Sequence, residues 1–313
     1  MVSKGVLEIN GQLNLRRLRL LAQVVRHGSF TDAAESLGLS QPALSKNIRL
    51  LEKSVGVKLL ERGRFGARPT VFGLTLVRHS DAIDAELNLA RSEIQSLKLG
   101  KAGSVIIGCG PSEASRVLPQ AIGALQISHP RIKVSVLHGL NESLLPMVKH
   151  GDVDLSLSSI AKRCNDPDLK QVALYEDQGV VVARANHPLT KRGIPLSIQL
   201  LATCDWILPR PQELERVAFD NIFLNSNISP PIPIVETTSS TLMKSLVLQS
   251  DCLSFLPKEL VYWEIQSNRL KGLPIEMPVW ERTVGITIRA RCSPSPAMNT
   301  LIAELVKISG GKR

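Results

Sequence analysis

Apolar residues recur at helical spacing in three short segments near the start of the chain. In the first segment the apolar positions are Leu15, Leu18, Leu21, Ala22 and Val25. In the second they are Ala33, Ala34 and Leu37, and in the third they are Leu44, Ile48, Leu51 and Val55. Positions three and four residues apart share one face of a helix, so each segment predicts an amphipathic helix with one buried side.

Residues that start and stop helices stand between these segments. Gly28 is suited to end the first helix, and either Ser29 or Thr31 can cap the second. Gly38 permits a tight turn before the third helix, which Ser40 is placed to cap. Two short helices joined by a tight turn predict a helix-turn-helix.

The third predicted helix keeps a polar face, which we expect to stay off the buried stripe. In a major groove, Gln41, Ser45 and Lys46 can reach base edges, while Arg49 is better placed to bind phosphate. Thr31 and Pro42, the latter tolerated in the first helical turn, complete the DNA-contacting set of the helices.

The segment "GVKLLERGRFGARPTVFG", residues 56–73, predicts a short strand, a glycine-punctuated turn and a return strand. Its arginines, Arg62, Arg64 and Arg68, give this hairpin the character of a basic wing that rides on the DNA backbone. The alternative interpretation of residues 13–70 is a small three-helix bundle with a purely structural role.

Residues 71–99 have the pattern of one long helix. Leu76, Ile83, Ala90 and Leu97 repeat every seven residues, and a second series, offset by four, consists of Ser80, Leu87 and Ile94. This spacing predicts a short coiled-coil seam between two chains. The alternative is a helix that packs only on its own domain. The stretch "LGKAGS" at 99–104 then ends the helix and forms a hinge.

From residue 104 onward the pattern changes to strands that alternate with helices, which predicts an α/β domain with a parallel sheet. The first series comprises "SVIIGCG", a helix over "SEASRVLPQAIGALQISHP", "RIKVSVLHG", a helix in "NESLLPMVKHG", and "DVDLSLSSI". The second comprises "GVVVARANHPL", "CDWILP", a helix at about 212–224, "PIPIVET", a helix at about 240–249, and "CLSFLP". A strand near 276–289 and a helix at about 296–309 complete the chain.

The distribution of charge separates the head from the rest of the chain. The formal net charge is +10, and residues 1–70 hold 12 Lys and Arg against 5 Asp and Glu, or +7. A compact basic domain is the electrostatic footprint of nucleic-acid binding. Charge alone is also compatible with a solvated surface, so the prediction of DNA binding rests on its agreement with the caps, the turn and the wing.

No catalytic motif accompanies this pattern. Gly108 and Gly110 follow a predicted strand, but Glu113 replaces the third glycine of a dinucleotide fingerprint, and Pro111 intrudes. The six histidines show no metal-ligand spacing, so we expect no metal, no cofactor and no catalytic residue. An enzyme or a solute-binding module with a DNA tether remains the competing class of function.

The five cysteines are widely spaced and form no C-x-x-C pair, which favours a reducing compartment. Cys109 and Cys204 would both approach the predicted cleft, so a redox-sensing regulator is a further alternative. We find no apolar run long enough to cross a membrane and no signal-peptide pattern, and we therefore expect a cytoplasmic protein.

The stretches "GSFTDAAESLGLSQPALSKNIRLLEKSVGVKLLER" and "PTVFG" resemble the winged helix-turn-helix of LysR-type transcriptional regulators. The resemblance implies a DNA-binding domain at 13–70, a dimerising linker helix and hinge at 71–100, and an effector-binding domain at 101–313. It also implies assembly into dimers, commonly tetramers, on double-stranded DNA. Lys46 departs from the arginine that the family often has, and lysine lacks the bidentate fork of a guanidinium.

The alternating elements beyond residue 100 resemble the two-lobed, type 2 periplasmic-binding-protein fold of LysR-type effector domains, which gives an overall α/β class. By this resemblance lobe 1 is about 101–173 plus 280–313, and lobe 2 is about 174–279. "HPL" at 187–189 and "DCLSFLP" at 251–257 also match family positions.

Ligands of open α/β sheets bind beyond the carboxyl ends of strands, against helix N-termini. The residues predicted at such places are Ser112, His138, Asn141, Thr203, Cys204, Thr238 and Ser239. Hydroxyl and N–H groups at helix starts suit a carboxylate, so we expect a small anionic effector between the lobes. The alternative is that each of these serines and threonines is only a helix cap.

Overall fold

The structure is a computed structural model that describes residues 13–63, 66–98, 103–161, 164, 166–276, 280–291 and 293–310, apart from the side chains of residues 62, 92, 93 and 95–98. The chain forms two compact units, which are described separately. The first comprises the residues up to Ile94 together with Lys149–Asp152, and the second comprises Gln95–Val148 and Val153 onward.

The first unit has three short helices, a two-stranded hairpin and a long helix. Their bounds are α1 (Leu15–His27), α2 (Phe30–Ser36), α3 (Gln41–Val55), β1 (Leu60–Gly63), β2 (Gly66–Pro69) and α4 (Val71–Lys98). Gly28 ends α1 in the left-handed conformation, and the Ser40 hydroxyl caps α3, as predicted. Of the two candidates for α2, Ser29 is the cap, since its hydroxyl accepts hydrogen bonds from the N–H groups of Thr31 and Asp32.

The short helices enclose one core, to which α3 contributes Leu44, Ile48 and Leu51. Ser45 is buried beside them with only 4% of its surface exposed, so the prediction that it stays off the stripe is wrong. Both α1 and α2 pack against α3, which makes its buried arc wider than a single apolar stripe. A side chain as small as that of Ser45 fits where the neighbouring helices pack against α3.

Glu52 extends this buried arc and connects α3 to the hairpin. Its carboxylate accepts hydrogen bonds from the N–H of Leu59 (3.0 Å) and the N–H of Leu60 (3.4 Å), and it pairs with Lys58 at 3.2 Å. Burial acts to raise the pKa of Glu52, but the hydrogen bonds and the Lys58 charge outweigh burial and lower it. An ionised carboxylate therefore fixes the hairpin to α3.

The hairpin is the predicted wing. Its strands pair antiparallel, with Glu61 opposite Arg68. The N–H of Ala67 donates to the Gly28 carbonyl at 2.8 Å, which attaches β2 to the end of α1. Gly66 has a φ of +103°, and a Cβ at this position would overlap the same carbonyl oxygen, so the close approach requires glycine.

The long helix α4 confirms the prediction for 71–99. Two arginines of α1 hold its first half: Arg19 pairs with Asp84 at 2.5 Å, and Arg26 pairs with Asp81 at 2.7 Å. In its first turn, Gly73 lies so close to the Leu59 carbonyl that a Cβ would overlap the oxygen. The start of α4 is thus packed directly onto the wing.

The second unit is a two-lobed α/β domain. Its elements in chain order are β3 (Ser104–Cys109), α5 (Pro111–Ser115), α6 (Val117–Ser128), β4 (Lys133–His138), α7 (Asn141–His150), β5 (Leu155–Ser159), β6 (Leu169–Arg184), a 3₁₀ turn (Pro188–Lys191), α8 (Ile198–Leu201), β7 (Ile207–Leu208), α9 (Leu214–Leu224), β8 (Val235–Glu236), α10 (Ser240–Gln249), β9 (Ser254–Pro257), α11 (Tyr262–Gln266), β10 (Leu270–Leu273), β11 (Glu281–Arg289) and α12 (Pro296–Ser309).

Lobe 1 is built on the predicted βαβαβ series. Strand β3 lies between β4 and β5 and is parallel to both, and β11 continues the sheet antiparallel to β5. Helices α6 and α12 pack together, and their apolar faces form a core with the sheet. The sequence of β3 is nearly continuously apolar, because a central strand of a parallel sheet is covered on both faces.

Lobe 2 is built around the second half of β6. Strands β9 and β10 pair antiparallel with this half, while β7 and β8 form a short parallel pair. Its core contains a chain of aromatic contacts, in which Phe219 packs against Trp206, Phe223 and Phe255 with ring centroids 4.6, 4.9 and 5.8 Å away.

Strand β6 joins the lobes without a break. This strand of 16 residues pairs with β11 over Leu169–Gln178 and with β9 and β10 from Gly179 onward. The sequence predicted only its second half, because the segment 169–178 has no clean alternation of apolar and polar residues. The second crossing between the lobes leads into β11.

Two further differences concern lobe 1 helices and lobe 2 elements. The single helix predicted from Ser112 and stopped before Pro130 is two helices, since Arg116 has a φ of −132° and a ψ of −64°. The short α8, α11 and β10 were not predicted. The family positions His187 and Asp251 meet in lobe 2, where Nε2 of His187 lies 3.0 Å from the Asp251 carbonyl oxygen.

In the ranges that the structure describes, no helix combines the length and apolar character needed to cross a membrane.

Candidate DNA-binding face and interlobe site

The outer face of α3 exposes most of its predicted polar residues. Gln41, Pro42, Lys46 and Arg49 are all exposed, whereas Ser45 is buried and cannot present its hydroxyl at this surface. The Nε of Arg49 lies 3.4 Å from the Ser45 carbonyl of its own helix. The face therefore offers one amide, one ammonium and one guanidinium group.

The exposed residues beside α3 extend this basic face. Thr31 is exposed in the first turn of α2, and Arg68 is exposed on β2 of the wing. The side chain of Arg62 and all of Arg64 lie outside the described residues, so their predicted contacts stay predictions. Because α3 is capped and its opposite side is packed, its exposed side chains stand on a rigid element.

Only some of the residues predicted to form the coiled-coil seam on α4 are exposed to a second chain. Ile83, Leu87 and Ile94 are exposed to 42%, 38% and 54%, whereas Leu76 packs partly against the core of the first unit. Ser80 is fully buried within this chain, so its predicted place in the seam is wrong. The side chain of Leu97 lies outside the described set.

Sequence analysis missed one member of this surface. Phe72 is 57% exposed, and it stands four residues before Leu76, on the same face of α4. Its apolar side chain at helical spacing was a usable signal, but Phe72 was counted as part of the wing motif "PTVFG" and not as part of the helix. We call Phe72, Ile83, Leu87 and Ile94 the α4 stripe.

The effector residues predicted in lobe 1 lie near the carboxyl ends of its strands. Ser112 is buried in the first turn of α5, and His138 is exposed at the end of β4. The Asn141 amide donates a hydrogen bond to the Ser159 carbonyl at 2.7 Å, which fixes the start of α7 against the end of β5.

The predicted residues of lobe 2 are separated from one another. Thr203 and Cys204 follow α8 and both contact the Leu200 carbonyl, Thr203 through its Oγ1 at 2.8 Å and Cys204 through its Sγ at 3.4 Å. They precede β7, so they lie at its amino end rather than at the carboxyl end where a cleft forms. Ser239 accepts a hydrogen bond from the N–H of Leu242 as the cap of α10, and Thr238 is exposed beside it.

A cavity of about 520 Å³ lies between the lobes. Lobe 1 lines it with Ser159 and Ile160, the crossing strand β6 lines it with Glu176, and α9 of lobe 2 lines it with Leu214, Val217, Ala218 and Asn221. Residues 280–283, where the chain returns to lobe 1, complete the wall. None of the seven predicted effector residues is among these lining residues, although Asn141 supports Ser159.

Arg282 is the centre of charge in this region. Its guanidinium lies 2.8 Å from Asp177, 3.3 Å from Glu113 and 3.3 Å from Glu215, and only 10% of its side chain is exposed. Glu113 belongs to α5 of lobe 1, Asp177 to β6 and Glu215 to α9 of lobe 2. One arginine therefore connects both lobes and the crossing strand.

Burial dominates the ionisation of this cluster. It raises the pKa of Glu113 to about 7, despite the opposing charge of Arg282, since Asp177 and Glu215 share the same guanidinium. Burial and the neighbouring carboxylates also raise the pKa of Tyr175. Sequence reasoning missed this cluster because its members are far apart in the chain, and no local pattern distinguishes a buried Glu from a solvated one.

A second set of contacts joins the lobes through α5 and the residue after it. The Arg116 guanidinium forms a bidentate pair with the Glu259 carboxylate, with Nη2 at 2.7 Å from Oε1, and lies over the Tyr262 ring. Ser115 donates to the Leu260 carbonyl at 3.1 Å, and the indole N–H of Trp263 donates to the Ser115 carbonyl at 3.2 Å.

The described residues were compared with the requirements of a metal site and of a reactive thiol. Within those ranges no group of three or more His, Cys, Asp or Glu side chains is arranged to hold a metal ion. The described cysteines Cys109, Cys164, Cys204 and Cys252 are free thiols. Burial raises the pKa of Cys109 to about 11 and also raises the pKa of Cys204, which disfavours the reactive thiolate.

Two family profiles match the chain in the order of its units. The profile of the bacterial regulatory helix-turn-helix protein, lysR family, matches residues 15–74, and that of the LysR substrate binding domain matches residues 98–308. The chain belongs to the LysR family. It is a LysR-type transcriptional regulator with a winged helix-turn-helix and a two-lobed domain for a small-molecule effector.

Individual LysR-type relatives support this assignment over nearly the whole chain. The HTH-type transcriptional regulator GalR of Pseudomonas putida is 30% identical over 288 residues, which cover 92% of this chain and 72% of GalR. PcaQ of Agrobacterium fabrum is 29% identical and covers 96% of this chain and 97% of its own. The full-length structure of CbnR, solved with its target DNA, has the same fold at 19% identity and a TM-score of 0.56, and covers 95% of this chain and 100% of CbnR.

Proposed function

We propose that this LysR-type regulator reads its operator with α3 and supports that contact with the wing. Gln41 and Lys46 are assigned to base edges, because amide and ammonium groups match donor and acceptor patterns in the major groove. Arg49, Arg68 and the first turn of α2 are assigned to phosphates, which set position without specifying sequence. The observation that carries this proposal is the exposure of Gln41 and Lys46 on a capped helix whose other side is buried.

The functional division follows the predicted boundaries. Residues 13–70 bind DNA, residues 71–100 form the dimerising helix and hinge, and residues 101–313 sense the effector. A homodimer held by the α4 stripe places two heads on two half-sites, and pairs of dimers form tetramers. Since its partner is double-stranded chromosomal DNA, the site of action is the cytoplasm.

The effector binds in the interlobe cavity and acts without chemical conversion or a cofactor. The cavity has a size typical of small-molecule sites, about 300–1,000 Å³, and both lobes contribute to its wall. The anionic effector expected from helix N-termini finds little support here. Glu176 and Glu281 line the cavity, and Arg282 is already surrounded by three carboxylates.

The redox alternative has less support than effector binding. Cys109 lies in the lobe 1 core and Cys204 packs against the lobe 2 core, so each thiol belongs to a different hydrophobic cluster. A regulator that senses oxidants needs an accessible, low-pKa thiol, which the environments of these two cysteines do not favour.

Substitutions in the head test the proposal. In Lys46→Ala or Gln41→Ala, we expect operator affinity to fall by about 1–3 kcal/mol, with relaxed sequence preference at the contacted position. In Arg68→Ala, we expect weaker binding to every sequence and a salt dependence that is shallower by about one unit. Fluorescence anisotropy with operator and scrambled duplexes, over a range of salt concentrations, measures both quantities.

Lys170→Ala is the charge-matched control, since Lys170 is exposed on β6 of the effector domain. It should leave both affinities unchanged. If Lys46→Ala and Gln41→Ala bind operator and scrambled DNA as the wild type does, α3 is not the reading helix.

A further inference from the structure

The cavity between the lobes carries an excess of negative charge. Among its described lining residues, the formal charges are those of Glu176, Glu281 and Arg282, or two negative against one positive. Glu113, Asp177 and Glu215 stand directly behind the arginine, within 3.3 Å of its guanidinium nitrogens. A carboxylate ligand would enter a region where acidic groups outnumber basic ones, and like charges at close range are destabilising.

The positive charge of Arg282 is not available to attract an anionic ligand into the cavity. Its Nη2 is shared by Glu113 and Asp177, its Nη1 faces Glu215, and its Nε faces Asp177 at 3.2 Å. Each of its three nitrogens is therefore directed at a carboxylate of this chain. The bidentate recognition of a ligand carboxylate requires two free N–H donors of the guanidinium side by side, and these are already engaged.

The carboxylates that line the cavity have acceptor capacity left. Glu176 accepts hydrogen bonds from the Thr283 hydroxyl at 2.9 and 3.1 Å, and Glu281 accepts one from the Gln178 amide at 2.9 Å. An ionised carboxylate has about four lone-pair sites, so each can accept further hydrogen bonds from a ligand. Hydroxyl groups are the complementary donors that bring no negative charge.

Other residues that line the cavity are apolar. Leu214 and Val217 of α9 are large apolar residues with 56% and 44% of their surface exposed, and the half-buried Trp280 stands beside Arg282.

We infer that the effector is an uncharged ring compound with several hydroxyl groups, of the aldose type, and that the interlobe cavity discriminates against its carboxylate analogues. One face of the ring packs on Trp280, Leu214 and Val217, and its hydroxyls donate to Glu176 and Glu281. This inference rests on the proposed function, which assigns the effector to this cavity, and it names the chemical class that the cavity selects.

Matched pairs of sugars that differ only in charge test the inference. D-glucose against D-glucuronate and D-galactose against D-galacturonate keep the ring and exchange a hydroxymethyl group for a carboxylate, and benzyl alcohol against benzoate tests an aromatic pair. Isothermal titration calorimetry on the full-length protein, at low ionic strength, measures each affinity. We expect at least one neutral sugar to bind at least about tenfold more tightly than its acidic partner, or about 1.4 kcal/mol.

Variants of the cavity connect this preference to named residues. The double variant Glu176→Gln, Glu281→Gln should narrow the ratio between neutral and acidic sugars to within about threefold, because amides remove the repulsion and keep the size. Glu142→Gln, at an exposed position on α7 outside the cavity, should leave the ratio unchanged. Val217→Trp should weaken sugar binding, because the indole occupies part of the cavity and displaces the sugar ring from α9, and its circular dichroism spectrum reports that it folds.

The outcomes separate the ligand class from the site. Tighter binding of the acidic members, or no binding by any neutral sugar at roughly 10 mM, would overturn the ligand class. If an acidic member binds more tightly and Val217→Trp weakens that binding, the proposed effector site stands and only the class is wrong. If a compound binds equally well to Val217→Trp, the cavity itself is not the effector site.

Discussion

A single guanidinium in the effector domain must satisfy three carboxylates. If all were ionised, Arg282 with Glu113, Asp177 and Glu215 would carry one positive and three negative charges, or a net charge of −2, in a largely buried place. The Oδ1 of Asp177 also accepts hydrogen bonds from two backbone N–H groups, at 2.9 and 3.2 Å. Protonation of Glu113 is the way to lower the excess charge, in keeping with its pKa of about 7.

This predicts a pH-dependent stability that Glu113→Gln removes. The folded-state pKa of about 7 lies above the ordinary value of 4.5 for a glutamate, so the folded state binds the proton more tightly. The contribution of Glu113 is therefore fully present below pH 4.5 and is lost as pH rises through 7. Between pH 5 and 8 we expect the free energy of unfolding of the wild type to fall by about 2 kcal/mol relative to Glu113→Gln, as measured by urea denaturation.

Glu142→Gln provides the control, because Glu142 is exposed and should show no such difference across the pH range. A constant difference between wild type and Glu113→Gln from pH 5 to 8 would mean that Glu113 keeps one ionisation state throughout. Asp177 and Glu215 favour its protonation and Arg282 opposes it, so removing any of these charges should also move the transition.

Single residues divide into those that local rules could identify and those they could not. The capping roles of Ser29 and Ser40 depend on neighbours within three residues; the sequence was sufficient for Ser40 and reduced the choice for α2 to Ser29 or Thr31. Ser45 was assigned to an open face because serine is polar, and Ser80 was assigned to the seam because of its seven-residue spacing, but both are buried within the chain. The cluster around Arg282 depends on contacts between residues up to 169 positions apart, and spacing within the sequence does not encode it.

At the scale of single elements, α4 has an apolar face that is not packed against the rest of the first unit. Its apolar stripe of Phe72, Ile83, Leu87 and Ile94 is exposed, although the arginines of α1 hold the neighbouring face. Exposed apolar residues in a row on one helix face are typical of a surface that a partner covers. The family resemblance and the repeat of seven residues both favour a second copy of this chain.

Leu87→Asp tests that interface. The change places a charge in the middle of the stripe, where desolvation in a dimer would be costly. We expect the dimer to dissociate at micromolar concentration and operator affinity to fall, because one head retains only one half-site and the second contact loses its high effective concentration. Analytical ultracentrifugation and operator titration measure the two effects.

Ala82→Asp adds the same charge to the same helix, at an exposed position off the stripe, and should leave the dimer intact. A sedimentation profile of Leu87→Asp that matches the wild type would place the dimer interface elsewhere.

Helices and strands whose own sequence shows a clear periodicity were predicted closely, and those that lack such a periodicity were not. The bounds of α10 and α12 fall where the periodicity places them. The first half of β6 escaped prediction because pairing with β11, rather than its own alternation, makes it a strand. The break between α5 and α6 has no proline or glycine at Arg116, and it coincides with the contacts that this residue makes to lobe 2.

At the scale of the effector domain, the lobes are connected on two sides of their junction. Arg282 forms one connection, and the pair of Arg116 with Glu259 forms the other, supported by Ser115 and Trp263. The alternation of strands and helices predicted two α/β series, and the family resemblance implied their arrangement as two lobes. The sequence pattern contained nothing about the side chains that hold the lobes together, because those contacts join residues that are far apart in the chain.

A double-mutant cycle on Arg116 and Glu259 measures the second connection. We expect a coupling energy of about 1–2 kcal/mol from the variants Arg116→Ala, Glu259→Ala and the combination, since the pair is bidentate and partly shielded from water. The exposed pair of Arg184 with Asp251, which lies within lobe 2, is the matched control and should give less than about 1 kcal/mol. Equal coupling energies in the two cycles would show that the interlobe pair adds nothing beyond a surface ion pair.

The tight contact between Gly73 and the Leu59 carbonyl has a mechanical consequence. It brings the backbone at the start of α4 against the residue that leads into the wing, so we expect the helix and the head to turn together as a lever. With 28 residues at about 1.5 Å each, that lever is about 42 Å long. A tilt of about 10° at one end moves the other end by about 7 Å, which is close to two base-pair steps of about 3.4 Å along DNA. In a dimer, we therefore expect a small tilt of this lever to change the spacing of the half-sites that the two heads bind.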